Sequence, residues 1–347
     1  MIDTALLQSW FAKNARDFPW RHNRSPYSVW ISEVMLQQTR AVSVIPYFIR
    51  WMERYPTIQD LAKAPFSEVI KLWEGLGYYS RVRNLHSAAQ EMIENFQGVP
   101  HTEEALKKIR GFGPYTIGAV LSFAFHKKAV AIDGNVTRVL TRFFLIKEDI
   151  SKAVVKNSLG VLAEDILKNE KKPWVITEAL IELGALVCIK KPKCSVCPLR
   201  EKCKAFISNE MEQIPRKKPK PKTVFLQRVA LMIQNQGKVL VQKGEGKKLM
   251  ADLYEFPYFE VEDELSLEEV EEEAFRIWGI RLEVQKKHEP IQQSFTKYKV
   301  VLYPFLLEAF EKINIPGFSW VSLEELQRLP FSSGHRKMKD QFFGKCK

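Results

Sequence analysis

At 347 residues, with 46% hydrophobic and 27% charged positions and a formal charge of +12, the chain exceeds one ordinary domain and reads as soluble and globular. Its longest apolar run, Ile117 to Phe125, is far short of a membrane span, and the opening MIDTALLQSWFAKNARDFPW has neither the basic start nor the small-residue cleavage site of a secretory leader. The composition therefore predicts two domains in a protein that stays in the cytoplasm.

From Met1 to about Asn209 apolar residues recur at three- and four-residue spacings with breaks at Ser25-Pro26, Tyr55-Pro56 and Gln97-Gly98, and no strand alternation appears. This predicts an all-α domain over residues 1–208. Within it, Glu33 stands in VWISEVMLQQT among Trp30, Ile31, Val34, Met35 and Leu36. Burial disfavours the ionised carboxylate, so Glu33 is expected to hold a proton that it can give. The segment WEGLGYYSRVRN from Trp73 interleaves glycines, tyrosines and arginines, a mixture suited to stacking on bases and holding phosphates, or to a buried tyrosine pair. Next, LKKIRGFGPYTIGAVLSFAF runs a short helix into Gly111-Phe112-Gly113 before Pro114 opens another. The glycines allow close backbone approach, and the free N–H groups of the new helix start can face a phosphate. That is the helix-hairpin-helix pattern of sequence-independent DNA binding. Asp133, in AVAIDGNVTRVL, breaks an apolar run just before another helix, where free N–H groups and the helix dipole favour the anion. A protonated Glu33 and an ionised Asp133 form the pairing used to cleave glycosidic bonds through a cationic sugar, whereas each taken alone reads better as a helix-surface glutamate and an ordinary N-cap aspartate.

Four cysteines follow at C-x5-C-x2-C-x5-C, namely Cys188, Cys194, Cys197 and Cys203. Without a secretory signal such a cluster points to metal rather than disulfides, and proline directly after one cysteine favours an iron–sulfur cluster over zinc. Cys346 is left over. Residues 1–187, 188–222 and 223–347 carry net charges of +5, +8 and −1, so the basic excess concentrates in and just after the cysteines. Such a surface suits a polyanion, or else a solvated linker. The stretch IPRKKPKPK reads as a linker over 209–223, because proline and like charges disfavour packed structure. Beyond it, VALMIQ and KVLVQK flank Asn235-Gln236-Gly237 as a hairpin, SLEEVEEEAFRIWG reads as a helix ended by Gly279, and KVVLYPFLLEAF reads as a strand. Residues 224–347 are thus expected to form a smaller α+β domain.

Together PWR at 19–21, SEVMLQQT, WEGLGYYSRVRNLH, GFGPYTIGA, DGNVTRVL, EALIELGA and the cysteines resemble the adenine DNA glycosylases of the endonuclease III superfamily, over most of residues 1–204. The resemblance implies a helical DNA glycosylase domain with a 4Fe-4S cluster in the loop 188–203. It also implies a double-stranded DNA partner carrying adenine opposite 8-oxoguanine. The compact two-domain layout and the lack of targeting signals point instead to the source, a bacterial, nucleoid-associated protein expected to be a monomer. The resemblance further implies that Glu33 protonates the flipped adenine, that Asp133 stabilises or captures the sugar cation, and that Tyr115 and Asn135 assist Asp133. Arg21 and Glu178 fall on adenine-pocket positions. Gln38, Thr39, Leu76 and Tyr78 fall on positions that wedge into the duplex and contact the oxidised guanine. Tyr115 stands where the lyase branch has a lysine, and tyrosine forms no Schiff base, so base excision without efficient strand cleavage is expected. The thymine-mismatch branch shares that tyrosine. Alternatives to adenine excision are therefore a thymine-mismatch enzyme, a bifunctional lyase or a non-catalytic DNA-binding protein.

The second domain resembles the Nudix-like domain of this family, most visibly at LMADLYEFP. Its place for the magnesium-binding glutamate cluster reads AFRIWG, so nucleotide hydrolysis is not expected. The lesion-reading Phe-Ser-His loop of the family is replaced by Phe295-Thr296-Lys297, where Lys297 substitutes a point charge for a planar ring and puts discrimination of 8-oxoguanine in question. The first cysteine spacing is one residue shorter than the family's, a change expected to tighten the loop without removing a ligand.

Overall fold

The computed structural model describes residues 1–218, 222–244, 251–295, 297–311 and 314–344. The chain divides into two compact units. The first holds residues 1–64 and 80–219, and the second holds residues 65–79 and 220–347.

The described part of the first unit has no strands, as its periodicity predicts. Its helices include Thr4–Asn14, Pro26–Leu36, Ala41–Arg54, Ser80–Phe96, Pro114–Phe123, Gly134–Phe144, Ala153–Leu167 and Pro173–Leu186. Sequence signals mark the ends. Ser25 caps the Pro26–Leu36 helix by accepting the Ser28 N–H at 3.2 Å, with Pro26 in the first turn, and Gly113 precedes Pro114 in the same way. Leu7, Val139, Leu140, Leu159, Ile176 and Leu183 form a core in which the Gly134–Phe144, Ala153–Leu167 and Pro173–Leu186 helices meet. The basic stretch after the cysteines is not detached over its first part. Ile150 N–H donates to Arg216 O at 3.1 Å, and Arg142 Nε donates to Ile214 O at 2.9 Å.

The second unit is built on one sheet of eight strands: β1 (Val224–Asn235), β2 (Lys238–Lys243), β3 (Tyr254–Glu255), β4 (Tyr258–Val261), β5 (Leu282–Lys287), β6 (Ile291–Phe295), β7 (Tyr298–Ala309) and β8 (Phe318–Ser322). The long β1 and β7 run parallel, with Val229 opposite Tyr303, while β1 and β2 form the expected hairpin. The turn works because Gln236 and Gly237 both take positive φ, 46° and 73°. Ser266 and Gly279 cap the Leu267–Trp278 helix at its two ends, Gly279 at φ 67°. Apolar side chains on both faces of the sheet are covered, by that helix on one side and by Leu326, Phe331 and Met338 on the other.

One segment groups differently from the sequence division. Residues 65–79, inside the stretch read as helical domain, pack with the second unit: Lys71 Nζ donates to Leu329 O and Phe331 N–H donates to Glu74 Oε1, both at 2.8 Å. Pairings between residues some 260 positions apart leave no trace in local periodicity.

Candidate active site and its supports

Every residue from Tyr27 to Met35 is buried, because the Pro26–Leu36 helix runs through the middle of its unit rather than along its surface. Glu33 is carried inside with it, only 6% exposed, onto the wall of a cleft of about 890 Å³. Its Oε2 accepts a hydrogen bond from Tyr115 Oη at 2.7 Å. Burial pushes the Glu33 carboxyl up to about 7; the Tyr115 bond opposes this, while the carboxylates of Glu178 and Asp133 add to it. Near neutral pH Glu33 is therefore poised between acid and anion. Burial likewise raises the Tyr115 hydroxyl well above its ordinary value, so Tyr115 stays a neutral donor.

Asp133 shares this cleft. It is the N-cap of the Gly134–Phe144 helix, where Oδ1 accepts from Asn135 N and Val136 N at 2.8 and 2.7 Å and Oδ2 accepts from Asn135 Nδ2 at 2.7 Å. Burial raises the Asp133 carboxyl above the usual aspartate value, and these three donors work against it. The expected anion at a helix start is thus held by its donors against a net upward push that the sequence alone did not reveal. Asn135 is fixed in turn: Arg138 Nη2 donates to Asn135 Oδ1 at 2.8 Å and to Gly184 O at 2.6 Å, and Arg138 Nε donates to Cys188 O at 2.6 Å.

The Tyr115 hydroxyl donates to Glu33, and Tyr115 lines the same cleft as Asp133. Asn135 donates to Asp133 through both its backbone N–H and its side-chain amide.

Two glycines that motif reading passed over bring these groups together. A Cβ on Gly118 would lie 1.9 Å from Val130 O, and one on Gly184 would lie 2.6 Å from Asn135 Cβ. Without side chains there, the Tyr115 helix lies against the segment entering Asp133, and the Pro173–Leu186 helix lies against Asn135.

The far wall of the cleft is an alternating chain of charges. Arg21 lies between two glutamates one helical turn apart, with Nε 3.6 Å from Glu178 Oε1 and Nη2 3.0 Å from Glu182 Oε2. Arg24 Nη2 reaches Glu178 Oε2 at 2.9 Å, and Arg16 Nε reaches Glu182 Oε1 at 2.6 Å. The sequence singled out Arg21 and Glu178. It missed Arg16, Arg24 and Glu182, whose partners lie more than 150 positions away, although the four-residue step from Glu178 to Glu182 puts both on one helix face.

The hairpin is formed as predicted. Gly111 takes φ 91°, Gly113 precedes the new helix, and Phe112 between them stacks on Trp30 with centroids 5.6 Å apart. Gln38 takes φ 56° just past the end of the Glu33 helix, and both Gln38 and Thr39 line the cleft. Arg81 braces that turn, donating to the carbonyls of Val34, Met35 and Gln37 at 2.8, 2.9 and 2.6 Å and to Thr39 Oγ1 at 3.2 Å.

Residues 31–164 match the model of the HhH-GPD superfamily base excision DNA repair proteins, and residues 228–341 match that of the NUDIX domain. The adenine DNA glycosylase of Buchnera aphidicola subsp. Baizongia pistaciae is 36% identical over 262 residues, a match covering 73% of this chain and 72% of that protein. The chain belongs to the adenine DNA glycosylase family. The human adenine DNA glycosylase is 43% identical over 219 residues, covering 60% of this chain but only 40% of its own length. Among solved structures, that of a thermostable thymine-DNA glycosylase aligns at 30% identity with a TM-score of 0.55, covering 59% of this chain and 95% of that one. A trapped endonuclease III–DNA covalent intermediate aligns at 25% identity with a TM-score of 0.51, covering 60% and 99%.

In this family member the four cysteines of the C-x5-C-x2-C-x5-C loop all line one small cavity of about 30 Å³, walled by apolar groups including Phe143, Leu183 and Leu199. All four thiols are free of disulfides. Burial pushes Cys197 up to about 11 and raises Cys194 and Cys203. Among the described residues no three His, Cys, Asp or Glu side chains converge closely enough to hold a single ion. Four soft donors around one apolar space fit a sulfur-ligated metal group. No residue from Cys188 to Cys203 takes a positive φ, and Arg142 holds the loop through Ile189 O at 2.6 Å and Lys190 O at 3.0 Å.

The remaining expected DNA contacts lie in the second unit. Leu76 is buried at 7% exposure, in a turn built by Gly75 (φ 103°), Gly77 (φ 72°) and Tyr78 (φ 50°), and Tyr78 is 47% exposed. Phe295 ends β6 with its ring 5.7 Å from that of Tyr298, and the Lys297 ammonium lies over the Tyr298 ring at 5.3 Å. Thr296 and Cys346 lie outside the described residues, as do Leu249 and Met250 at the head of the Nudix-like motif. Among the described residues no helix is long and apolar enough to cross a membrane.

Proposed function

We propose that the protein excises adenine mispaired with 8-oxoguanine or guanine from double-stranded DNA, by acid-catalysed hydrolysis and without efficient strand cleavage. The observation that carries this reading is the pairing of Glu33 and Asp133 in one cleft, with Glu33 half protonated near pH 7 and Asp133 held by three donors. The target base lies inside the duplex stack, so it must be extruded into the cleft before reaction. Glu33 gives its proton to N7 of the base. The bond from C1′ to the base breaks with its electron pair leaving on the neutral base, and the cationic sugar left behind is met by the Asp133 carboxylate. Water then adds to C1′ and returns a proton, leaving an abasic site. Tyr115 holds Glu33 in place and offers no amine to form a Schiff base, so the sugar is not passed on to strand cleavage.

Arg21 and Glu178 serve as the wall for the base, and Gln38, Thr39, Leu76 and Tyr78 serve the opposite strand and the gap it leaves. In this reading residues 1–208 form the catalytic domain, residues 209–223 a linker, and residues 224–347, through Phe295 and Thr296, the reader of the oxidised guanine. Cys188, Cys194, Cys197 and Cys203 would hold a 4Fe-4S cluster. Four thiols around one apolar cavity, with proline directly after Cys197, support the cluster over zinc. When bound, the cluster supplies a closed fold for a loop rich in lysine and arginine, which can then meet phosphates. The protein acts as a monomer in the bacterial cytoplasm, on nucleoid DNA.

One panel tests the proposal: duplexes with adenine opposite 8-oxoguanine, adenine opposite guanine, and thymine opposite guanine, each developed with and without alkali. Adenine release that yields breaks only with alkali is expected. Release of thymine would favour the activity named for the thermostable structural relative, breaks without alkali would establish a lyase, and intact bases with duplex binding would leave a non-catalytic DNA-binding protein.

A further inference from the structure

Glu182 is 1% exposed, yet the mechanism above gives it no task. A carboxylate is rarely buried this deeply unless its oxygens are fully used. Here Oε1 accepts from Arg16 N at 3.1 Å and Arg16 Nε at 2.6 Å, and Oε2 accepts from Arg16 Nη2 at 3.3 Å and Arg21 Nη2 at 3.0 Å. Arg21 also donates through Nη1 to Arg16 O, and its guanidinium lies over the rings of Phe18 and Phe11 at 5.3 and 5.5 Å. The Arg21 fork is therefore gripped on its Nη side by Glu182 and the Arg16 backbone. Its Nε edge is left 3.6 Å from Glu178, beyond good hydrogen-bond length.

We infer that Glu182 is a positioning residue for base excision: it holds Arg21 away from full pairing with Glu178, and so sets the charge that Glu33 meets across the cleft. The inference rests on the reading of Glu33 as the acid. The charged and titratable groups that act most on Glu33 are Tyr115 at the start of the Pro114–Phe123 helix, Asp133 before the Gly134–Phe144 helix, Glu178 on the Pro173–Leu186 helix, and Arg21 on the Pro19–His22 turn, and Arg16, Arg24, Arg40 and Glu182 line the same cleft. Glu178 favours the protonated form of Glu33 and Arg21 opposes it. Removing the Glu182 charge frees Arg21 from its counter-ion and lets it turn onto Glu178. Both effects act in one direction, lowering the pH at which Glu33 loses its proton. Removing Arg16 does the reverse, because Arg21 then has Glu182 to itself and one positive charge is gone.

The test is the pH dependence of single-turnover adenine release at saturating enzyme, for the parent, Glu182→Gln and Arg16→Met, with thermal unfolding measured on the same preparations. The parent rate is expected to fall as pH rises through about 7, the value to which Glu33 is raised. Glu182→Gln is expected to move that fall to lower pH by about half to one unit, and Arg16→Met to move it upward by less. Unfolding measured at each pH gives the active fraction, and rates divided by that fraction keep a loss of stability from being read as a moved limb. Two variant limbs superimposed on the parent's, or shifted the same way, overturn the role of Glu182. A parent without any alkaline fall overturns the acid assignment of Glu33 and this inference with it.

Discussion

Replacing Glu33 by glutamine should cost the enzyme its activity and make the protein more stable, but only at high pH. In the folded state burial raises the Glu33 carboxyl from 4.5 to about 7. The folded protein thus keeps this proton over a range of pH in which the unfolded chain has already lost it, and stability falls as pH rises from 4.5 to 7. The gap of about 2.5 units corresponds to about 3 kcal/mol of destabilisation above pH 7, absent below pH 4.5. Glutamine occupies the same volume, carries no charge at any pH, and its amide oxygen can still accept from Tyr115 Oη. Glu33→Gln should therefore be more stable than the parent by about 1–3 kcal/mol at pH 8 and equal to it within about 0.5 kcal/mol near pH 5. Urea unfolding followed by helical circular dichroism at pH 5, 6, 7 and 8 reads this difference, and adenine release should fall by about 100-fold or more with the proton donor gone. A stability difference that does not change with pH would refute the argument, since it would mean that Glu33 titrates alike in the folded and unfolded chains.

Asp133→Asn keeps the cap but removes the negative charge facing the sugar, so single-turnover excision should fall by about 100-fold or more with DNA affinity within a few-fold of the parent; a near-native rate would strip Asp133 of its role. Tyr115→Phe deletes the hydrogen bond that lowers the Glu33 value, so the alkaline limb of the rate profile should move upward by up to about one unit. An unmoved limb in that variant would place the hydroxyl elsewhere during reaction. Gly118→Ala puts a methyl 1.9 Å from the Val130 carbonyl, and thermal unfolding should show destabilisation of about 3 kcal/mol, with the approach to Asp133 lost. On the proposal of a 4Fe-4S cluster the parent should show visible absorption and bound iron, and Cys197→Ser should lose both; a preparation with zinc or no metal that remains active would remove the cluster while leaving the glycosylase intact.

The sequence by itself determined a good deal of this. Three- and four-residue periodicity against strand alternation separates the helical part from the α+β part, because the two backbone repeats expose different side-chain faces. Local chemistry placed Ser25, Gly113, Asp133, Ser266 and Gly279 at element ends, where free N–H or carbonyl groups demand them. The apolar neighbours of Glu33 pointed to burial, but a helix-surface glutamate fitted the local sequence as well, and only the fold decided between them. What only the tertiary structure decided are the relations between distant segments. Tyr115 bonds Glu33 because the hairpin helix passes beside residue 33, 82 positions away. Asp133 meets a net upward push on its ionisation from surroundings that its own segment does not contain. Glu182 matters only because Arg16 and Arg21 reach it across the fold, and Gly118 and Gly184 matter only because another backbone lies where their side chains would be. Periodicity and caps are set by neighbours within a few residues, whereas hydrogen bonds and Coulomb terms are set by distance in space, and that distance exists only once the chain has folded.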